Sequence, residues 1–243
     1  MPLLRLKGDL HMHSTFSDGR NSPEEILLAA VEKDLDVISI TDHDTFSGAL
    51  RALKSAKSMQ LDLVVIVGAE IRTTAGDILV YCSDSPPDAV PRDPFELADA
   101  AHEHGCIVVP AHPFDARRKG IGKLVYDGQW DAIEVYNAYS DPFSNHKAEQ
   151  AARELGIPGI ANSDAHVASA IGSAYNIIEV GDRNADSVID AIKTGRVRPV
   201  YGRPSFSAIA STLAWSIERR IKRRRGPSRL DYIDDEDYGA YTF

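Results

Sequence analysis

Residues 5–19 read RLKGDLHMHSTFSDG, and their two halves obey different rules. Arg5–Leu10 is a short β-compatible run. It holds Asp9 and leads directly into His11, His13 and Asp18, the side-chain types that bind divalent metals. In extended chain His11 and His13 point to the same side, because side chains alternate with a period of two. A strand whose end carries chemistry is the recurrent unit of parallel β/α folds, which build their sites where strands finish.

The same unit recurs along the chain. Strands are expected at Arg5–Leu10, Val37–Ile40, Leu63–Val67, Asp77–Cys82, Cys106–Val109, Ala132–Val135, Pro158–Ala161 and Tyr175–Val180. Most are continuous apolar runs, as for strands covered on both faces. Helices are expected between them. One follows the Ser22 cap, with Pro23 in the first turn and Glu24 and Glu25 at its positive end. Others are expected at Pro94–His104, Lys147–Leu155 and Asn184–Lys193, each followed by glycine. This alternation predicts parallel strands joined by right-handed crossovers, closed into a compact β/α barrel. An open doubly wound sheet is the alternative.

The residues just past the strands decide the function. Val37–Ile40 leads into Thr41-Asp42-His43-Asp44, and Leu63–Val67 into Gly68-Ala69-Glu70. Cys106–Val109 leads into Ala111-His112-Pro113. Pro158–Ala161 leads into Asn162-Ser163-Asp164-Ala165-His166, where Asp164 and His166 repeat the period-two spacing. Five of the eight histidines fall at such ends. Any one of these pieces has a bland reading, as a turn or a cap, but with Ala132–Val135, which holds Glu134 and leads into Tyr136-Asn137, six strand ends together point to a metal site. His102 and His104, by contrast, sit two apart on one helix and point to different sides.

Composition sets the limits. The chain has 243 residues and a net charge of −9. Residues 1–218 carry 20 basic and 31 acidic residues, so the main body is acidic. That disfavours a general nucleic-acid coat. No stretch approaches the roughly 20 apolar residues of a membrane span, and the first residues lack a signal peptide's apolar region. Cys82 and Cys106 are expected to be reduced and buried, in a cytoplasmic protein. Three segments are expected: a barrel over 1–204, a basic helix over 205–229 and a mobile acidic tail over 230–243. The helix is expected to fold back on the acidic tail or the acidic barrel. Gripping a nucleic acid is the lesser possibility.

HMHSTFSDG, ITDHDT, GAE, AHP and NSDAH, in that order, resemble the PHP (polymerase and histidinol phosphatase) family over roughly residues 5–180. The resemblance implies a distorted (β/α)7-type barrel with two or three divalent ions (manganese, zinc or iron) and phosphoester hydrolysis by metal-activated hydroxide. It implies that one ion takes His11, His13, Glu70 and Asp164. A second shares Glu70 and takes His112, and a third takes Asp18, His43 and His166. What completes the second is open among Asp77, Glu134, Asn137 and His146. Asp9 and Asp42 are read either as orienting a ligating histidine or as capping loops. Arg20, Arg72, Arg117, Arg118 and Lys119 lie in the loops, and Arg117 and Arg118 are the favoured phosphate contacts. The expected substrate is a small phosphate ester, a nucleotide or nucleoside bisphosphate. An editing exonuclease, a histidinol-phosphate phosphatase and a metal-binding module without turnover are the rivals.

Overall fold

A computed structural model describes residues 3–225, with side chains to Lys222. The acidic tail over 230–243 and the last four residues of the expected basic helix lie outside the described residues. Nine strands and six α-helices are described. The strands are β1 (Leu4–Asp9), β2 (Val37–Ile40), β3 (Val64–Arg72), β4 (Asp77–Cys82), β5 (Ile107–Pro110), β6 (Ile133–Asn137), β7 (Gly159–Asn162), β8 (Tyr175–Val180) and β9 (Val197–Val200). The helices are α1 (Pro23–Glu32), α2 (Ser47–Ser58), α3 (Pro94–Glu103), α4 (Pro142–Leu155), α5 (Ala185–Lys193) and α6 (Phe206–Arg225).

Seven strands form one curled sheet in the order β5-β4-β3-β2-β1-β8-β9, and β6 pairs with β7 apart from it. The fold is thus an α/β barrel of the expected distorted type, its main sheet a curled half-barrel, but not all its strands are parallel. β1, β2 and β3 run parallel, as do β6 and β7, whereas β4 is antiparallel to β3 and β5, and β8 to β1 and β9. Between β3 and β4 the reason is connection length. Residues 73–76 between β3 and β4 leave no room for the crossover a parallel neighbour requires. Thr73 closes that turn, its hydroxyl donating to the Gly76 carbonyl at 2.5 Å.

The seam between the curled sheet and β7 is sewn by side-chain amides. Asn162 Oδ1 accepts from Leu10 N at 3.1 Å. Asn176 Oδ1 accepts from Ala161 N at 2.9 Å, and its Nδ2 donates to the Ala161 carbonyl at 2.7 Å. These amides satisfy backbone groups that a ladder would otherwise pair.

Alternation along the strands sorts the core into two layers. One face carries Ile38, Ile40, Val65 and Val67 against Ile26, Leu27, Ala49 and Ala52 of α1 and α2. The other gathers Leu6, Val37, Val64, Ile66 and Tyr81 with Val188 and Ile192 of α5. Glu70 continues the second set at the far end of β3, so one strand carries both core and chemistry.

The helices form where caps permit. At α1, Ser22 and Glu25 make a reciprocal capping box. α4 starts five residues before the expected Lys147, because Asp141 caps it and Pro142 fills its first turn. α2 was not expected from the sequence; its Phe46 cap makes no side-chain bond, and its buried face is largely alanine. Gly48 is required there, since a Cβ would collide with Asp42 Oδ2. β9 was also not expected, and it contains Pro199 at the sheet edge.

Cys82 and Cys106 are joined in a disulfide, which corrects the expectation of two reduced thiols. β4 and β5 pair with Tyr81 opposite Ile107, so the next residues out face each other across the ladder. Strand pairing brings together residues 24 apart in the chain. No helix among the described residues is long and apolar enough to cross a membrane.

Candidate metal centre

The segment after β1 and the segment after β7 lie side by side. Met12 bridges Ala165, and His13 N donates to the Ala165 carbonyl at 2.9 Å. The two period-two pairs, His11 with His13 and Asp164 with His166, are therefore neighbours rather than partners facing across the mouth. His43 bridges Glu70 in the same way. Glu70 lies within β3, which runs on past the expected end at Val67. Two of the site residues have left-handed backbone, His112 at φ 32° and Asp164 at φ 50°. Such conformations cost about 1–3 kcal/mol each outside glycine and persist where surrounding structure demands them.

Glu70 is the hub. Its Oε2 lies 3.5 Å from His11 Nε2, 3.4 Å from His13 Nε2 and 3.0 Å from His43 Nδ1. Its Oε1 lies 3.0 Å from His112 Nε2. Asp164 Oδ1 lies 3.6 Å from His11 Nε2 and 3.3 Å from His13 Nε2. Further out, Asp18 Oδ1 lies 3.1 Å from His166 Nε2 and 3.7 Å from His43 Nε2. The eight expected ligands thus form one connected cluster. Its ligand atoms fall into groups compact enough to hold an ion: His13, Asp18, His43 and His166; His11, His13 and Glu70; His11, His112 and Asp164; and His43, Glu70 and Asp77.

The fit to a metal is tested by the polar atoms left over. His11 Nε2, His13 Nδ1, His43 Nδ1, Asp18 Oδ1 and Asp164 Oδ1 are buried without a hydrogen-bond partner. Orphaned buried atoms are costly, and here the oxygens and imidazole nitrogens come from converging residues. Mixed imidazole and carboxylate donors suit zinc, manganese or iron.

The surroundings hold each ligand in place. Glu134 Oε1 lies 2.9 Å from His11 Nδ1 and accepts from Asn162 Nδ2, while Oε2 accepts from His112 N and Asn137 Nδ2. Both oxygens are engaged, and Oε1 faces the His11 ring. Asn137 is engaged as well, between Glu134, Asp164 and Tyr139 N. His146 is exposed on α4. Asp77 remains beside Glu70 and His43, its oxygens 3.2 and 3.3 Å from the Arg72 guanidinium. Asp42 accepts from Ser14 N at 2.7 Å and binds the Ser14 and Ser17 hydroxyls, and Asp9 accepts from Ser163 and Gly172 N. Both cap loops and orient no histidine ring. His102 faces Asp131, and His104 the Ala100 carbonyl, away from the cluster.

Two arginines grip the carboxylates from behind. Arg118 binds Asp164 Oδ2, and Arg219 binds Asp18 Oδ2, leaving each Oδ1 to the cluster. Arg118 is one of the two expected phosphate contacts and lines the cavity; Arg117 lines it too but pairs with Asp115 and Asp141. The reading of the sequence did not place Arg219 or Trp215 at the site. Their spacing of four on α6 was the available signal, since it sets them on one helix face. The cavity above the cluster measures about 290 Å³ and is lined also by Arg72 and Lys119.

Charges follow from these contacts. Burial opposes ionisation of Asp164, but Arg118 and His11 hold its carboxyl well below the usual range. Burial opposes ionisation of Glu70 as well, and His43 and His11 outweigh it. Burial works against the His43 cation, yet Glu70 and Asp18 push it up to about 9. His13 goes the other way, down to about 4, through burial and the neighbouring His166 and His43. Protons on some rings balance carboxylates that ions would otherwise neutralise.

Comparison with known proteins agrees with this chemistry. An uncharacterized protein of Methanocaldococcus jannaschii is 31% identical over 146 residues, 55% of this chain and 83% of its own length. A 5′-3′ exoribonuclease of Haemophilus influenzae is 43% identical over 67 residues, 28% of this chain but only 24% of the relative. Among solved structures, a two-domain Bacteroides vulgatus protein containing a predicted PHP-like metal-dependent phosphoesterase shares the fold. Its TM-score is 0.69 at 22% identity, over 82% of this chain and 66% of that one. The PHP domain model matches residues 9–141 and the PHP-associated model residues 142–197, and the chain belongs to the PHP family.

Proposed function

We propose that this protein is a metal-dependent phosphoesterase acting on a small phosphate ester, of the nucleotide or nucleoside bisphosphate class. The observation that carries the reading is the convergence of unpartnered histidine and carboxylate atoms beneath a cavity ringed by Arg72, Arg117, Arg118, Lys119 and Arg219. His11, His13, Glu70 and Asp164 would hold one ion. Glu70 and His112, with Asp77 nearby, would hold a second, and Asp18, His43 and His166 a third. Bound divalent ions supply Lewis acidity and a nucleophilic water at neutral pH.

The chain's own groups do the rest. The guanidinium of Arg118 fixes Asp164 and, at the cavity wall, faces an arriving phosphate. His43 and His166, if left free of an ion, are positioned to protonate the leaving oxygen. The acidic body disfavours a long polyanion, which argues for a small ester over a nucleic-acid strand.

The test is phosphate release with added manganese. The panel holds nucleoside monophosphates, 3′,5′-bisphosphates, histidinol phosphate and a short oligonucleotide, with Asp164→Ala as control. Turnover of the small nucleotides, lost in the variant, is expected. Preferential cleavage of the oligonucleotide, with steep salt dependence, would replace this reading with a nuclease.

A further inference from the structure

α6 begins nine residues beyond residue 197, where the family match ends, yet it reaches the metal cluster. Trp215 Nε1 donates to the Asp18 carbonyl at 2.8 Å, and Arg219 Nη1 donates to the same oxygen at 3.2 Å. On the other side, Tyr139 Oη lies 2.8 Å from Thr212 Oγ1. The helix therefore spans from the loop after β1 to the loop after β6, and it roofs a second cavity of about 180 Å³. Tyr139, Trp215, Thr212 and Ser216 line this cavity, and Arg118, His166 and Arg219 belong to both cavities. The two spaces share those three side chains as a common wall.

The walls of the second cavity state what it takes. Two aromatic side chains and two guanidinium groups line it, with Arg118 Cζ 5.8 Å from the Tyr139 ring centre. Planar π-surfaces and guanidinium planes favour a flat aromatic ring over a flexible aliphatic chain. The Ser216 hydroxyl adds a hydrogen-bonding group to the lining. The size admits one ring system, not a run of stacked bases.

We propose that α6 builds a nucleobase subsite between Tyr139 and Trp215, which seats the base of a nucleoside phosphate whose phosphate lies over the metal cluster. The ester end of this ligand rests on the phosphoesterase reading above; the base end does not. The helix that gives the site its selectivity is thus a segment the family models leave unmatched.

Two measurements on the full chain test this. Trp130 and Trp215 are the only tryptophans, and Trp130 is buried. Adenosine, which has no phosphate to hydrolyse, should quench the Trp215 emission. Trp215→Phe should lose that quenching, and Ser216→Phe, which fills the cavity from the helix, should abolish it. In the manganese-loaded enzyme, Ser216→Phe should lower the ratio of kcat/KM for a nucleoside monophosphate to that for glycerol phosphate by about tenfold or more, the scale of one lost base stack. No quenching by millimolar adenosine overturns the subsite, and so does an equal loss toward both esters. Quenching without hydrolysis of either ester upholds the subsite and defeats the phosphoesterase reading.

Discussion

The inner and outer halves of the metal cluster are built from the same residue types but to different standards. His11, His112, Glu70 and Asp164 are at most 4% exposed. They sit on strands or directly after them, and the Glu134 network holds His11 and the His112 backbone. Asp18, His43 and His166 have side chains 16–23% exposed. They sit on loops, and the grip on Asp18 comes from α6. The contrast teaches that ligand identity alone does not set an ion's grip. The supporting shell does, and here it is deep on one side and borrowed from a terminal helix on the other.

The largest effect should come from removing what the halves share. Glu70 touches rings of both, so Glu70→Gln should cost about 10³-fold or more in turnover, the several kcal/mol that bound ions supply. Metal analysis of the purified variant should show loss from both halves. Retention of a full complement of ions would show that Glu70 is not the hub.

A second effect separates the protonated cluster from the ion-loaded one. His43 moves from about 6.5 up to about 9 on folding without metal. A raised value adds stability that is fully present below about pH 6.5 and lost as pH rises through about 9. That shift corresponds to about 3 kcal/mol. His13, held neutral down to about 4, acts only below this window. The chelated protein should therefore weaken from pH 6.5 to 9 in denaturant titrations. With ions in place of the protons, the loaded protein should not. Equal stability of the chelated protein at both pH values would refute the proton-for-ion exchange.

How much of this was legible beforehand depended on whether a feature was local. HMH, DAH and the strand runs are local patterns, and β2, β4 and β8 begin and end where their apolar runs do. The antiparallel strands were hidden because an apolar run does not state strand direction; only at β3–β4 does a short connection dictate it. The disulfide was hidden because only the β4–β5 register brings Cys82 to Cys106. At the centre, seven of the eight clustered residues were visible at or just past strand ends, and Asp18 in the loop after β1. The place of Arg219 was not, since a basic helix expected to fold back on an acidic body does not reveal which base meets which acid until the helix is seen to cross Asp18.

The smallest effect is the most diagnostic of the inner shell. Glu134 touches no proposed ion, yet it accepts from or faces His11 Nδ1, His112 N, Asn137 and Asn162. As a carboxylate it favours the His11 tautomer with hydrogen on Nδ1, which leaves Nε2 its lone pair toward Glu70 and Asp164. Glu134→Gln keeps the shape but puts an amide where two acceptors were needed. It can satisfy either the ring or the neighbouring amides with its single oxygen, and its NH₂ then opposes a donor. Metal affinity of the inner half should fall about 10–100-fold, the usual cost of losing a partner that orients a ligand. The outer half should change little, because Asp18, His43 and His166 have no contact with Glu134 among those described. Competition with a chelator resolves the two halves. Equal weakening of both would mean the cluster behaves as one unit, with Glu70 transmitting what Glu134 loses.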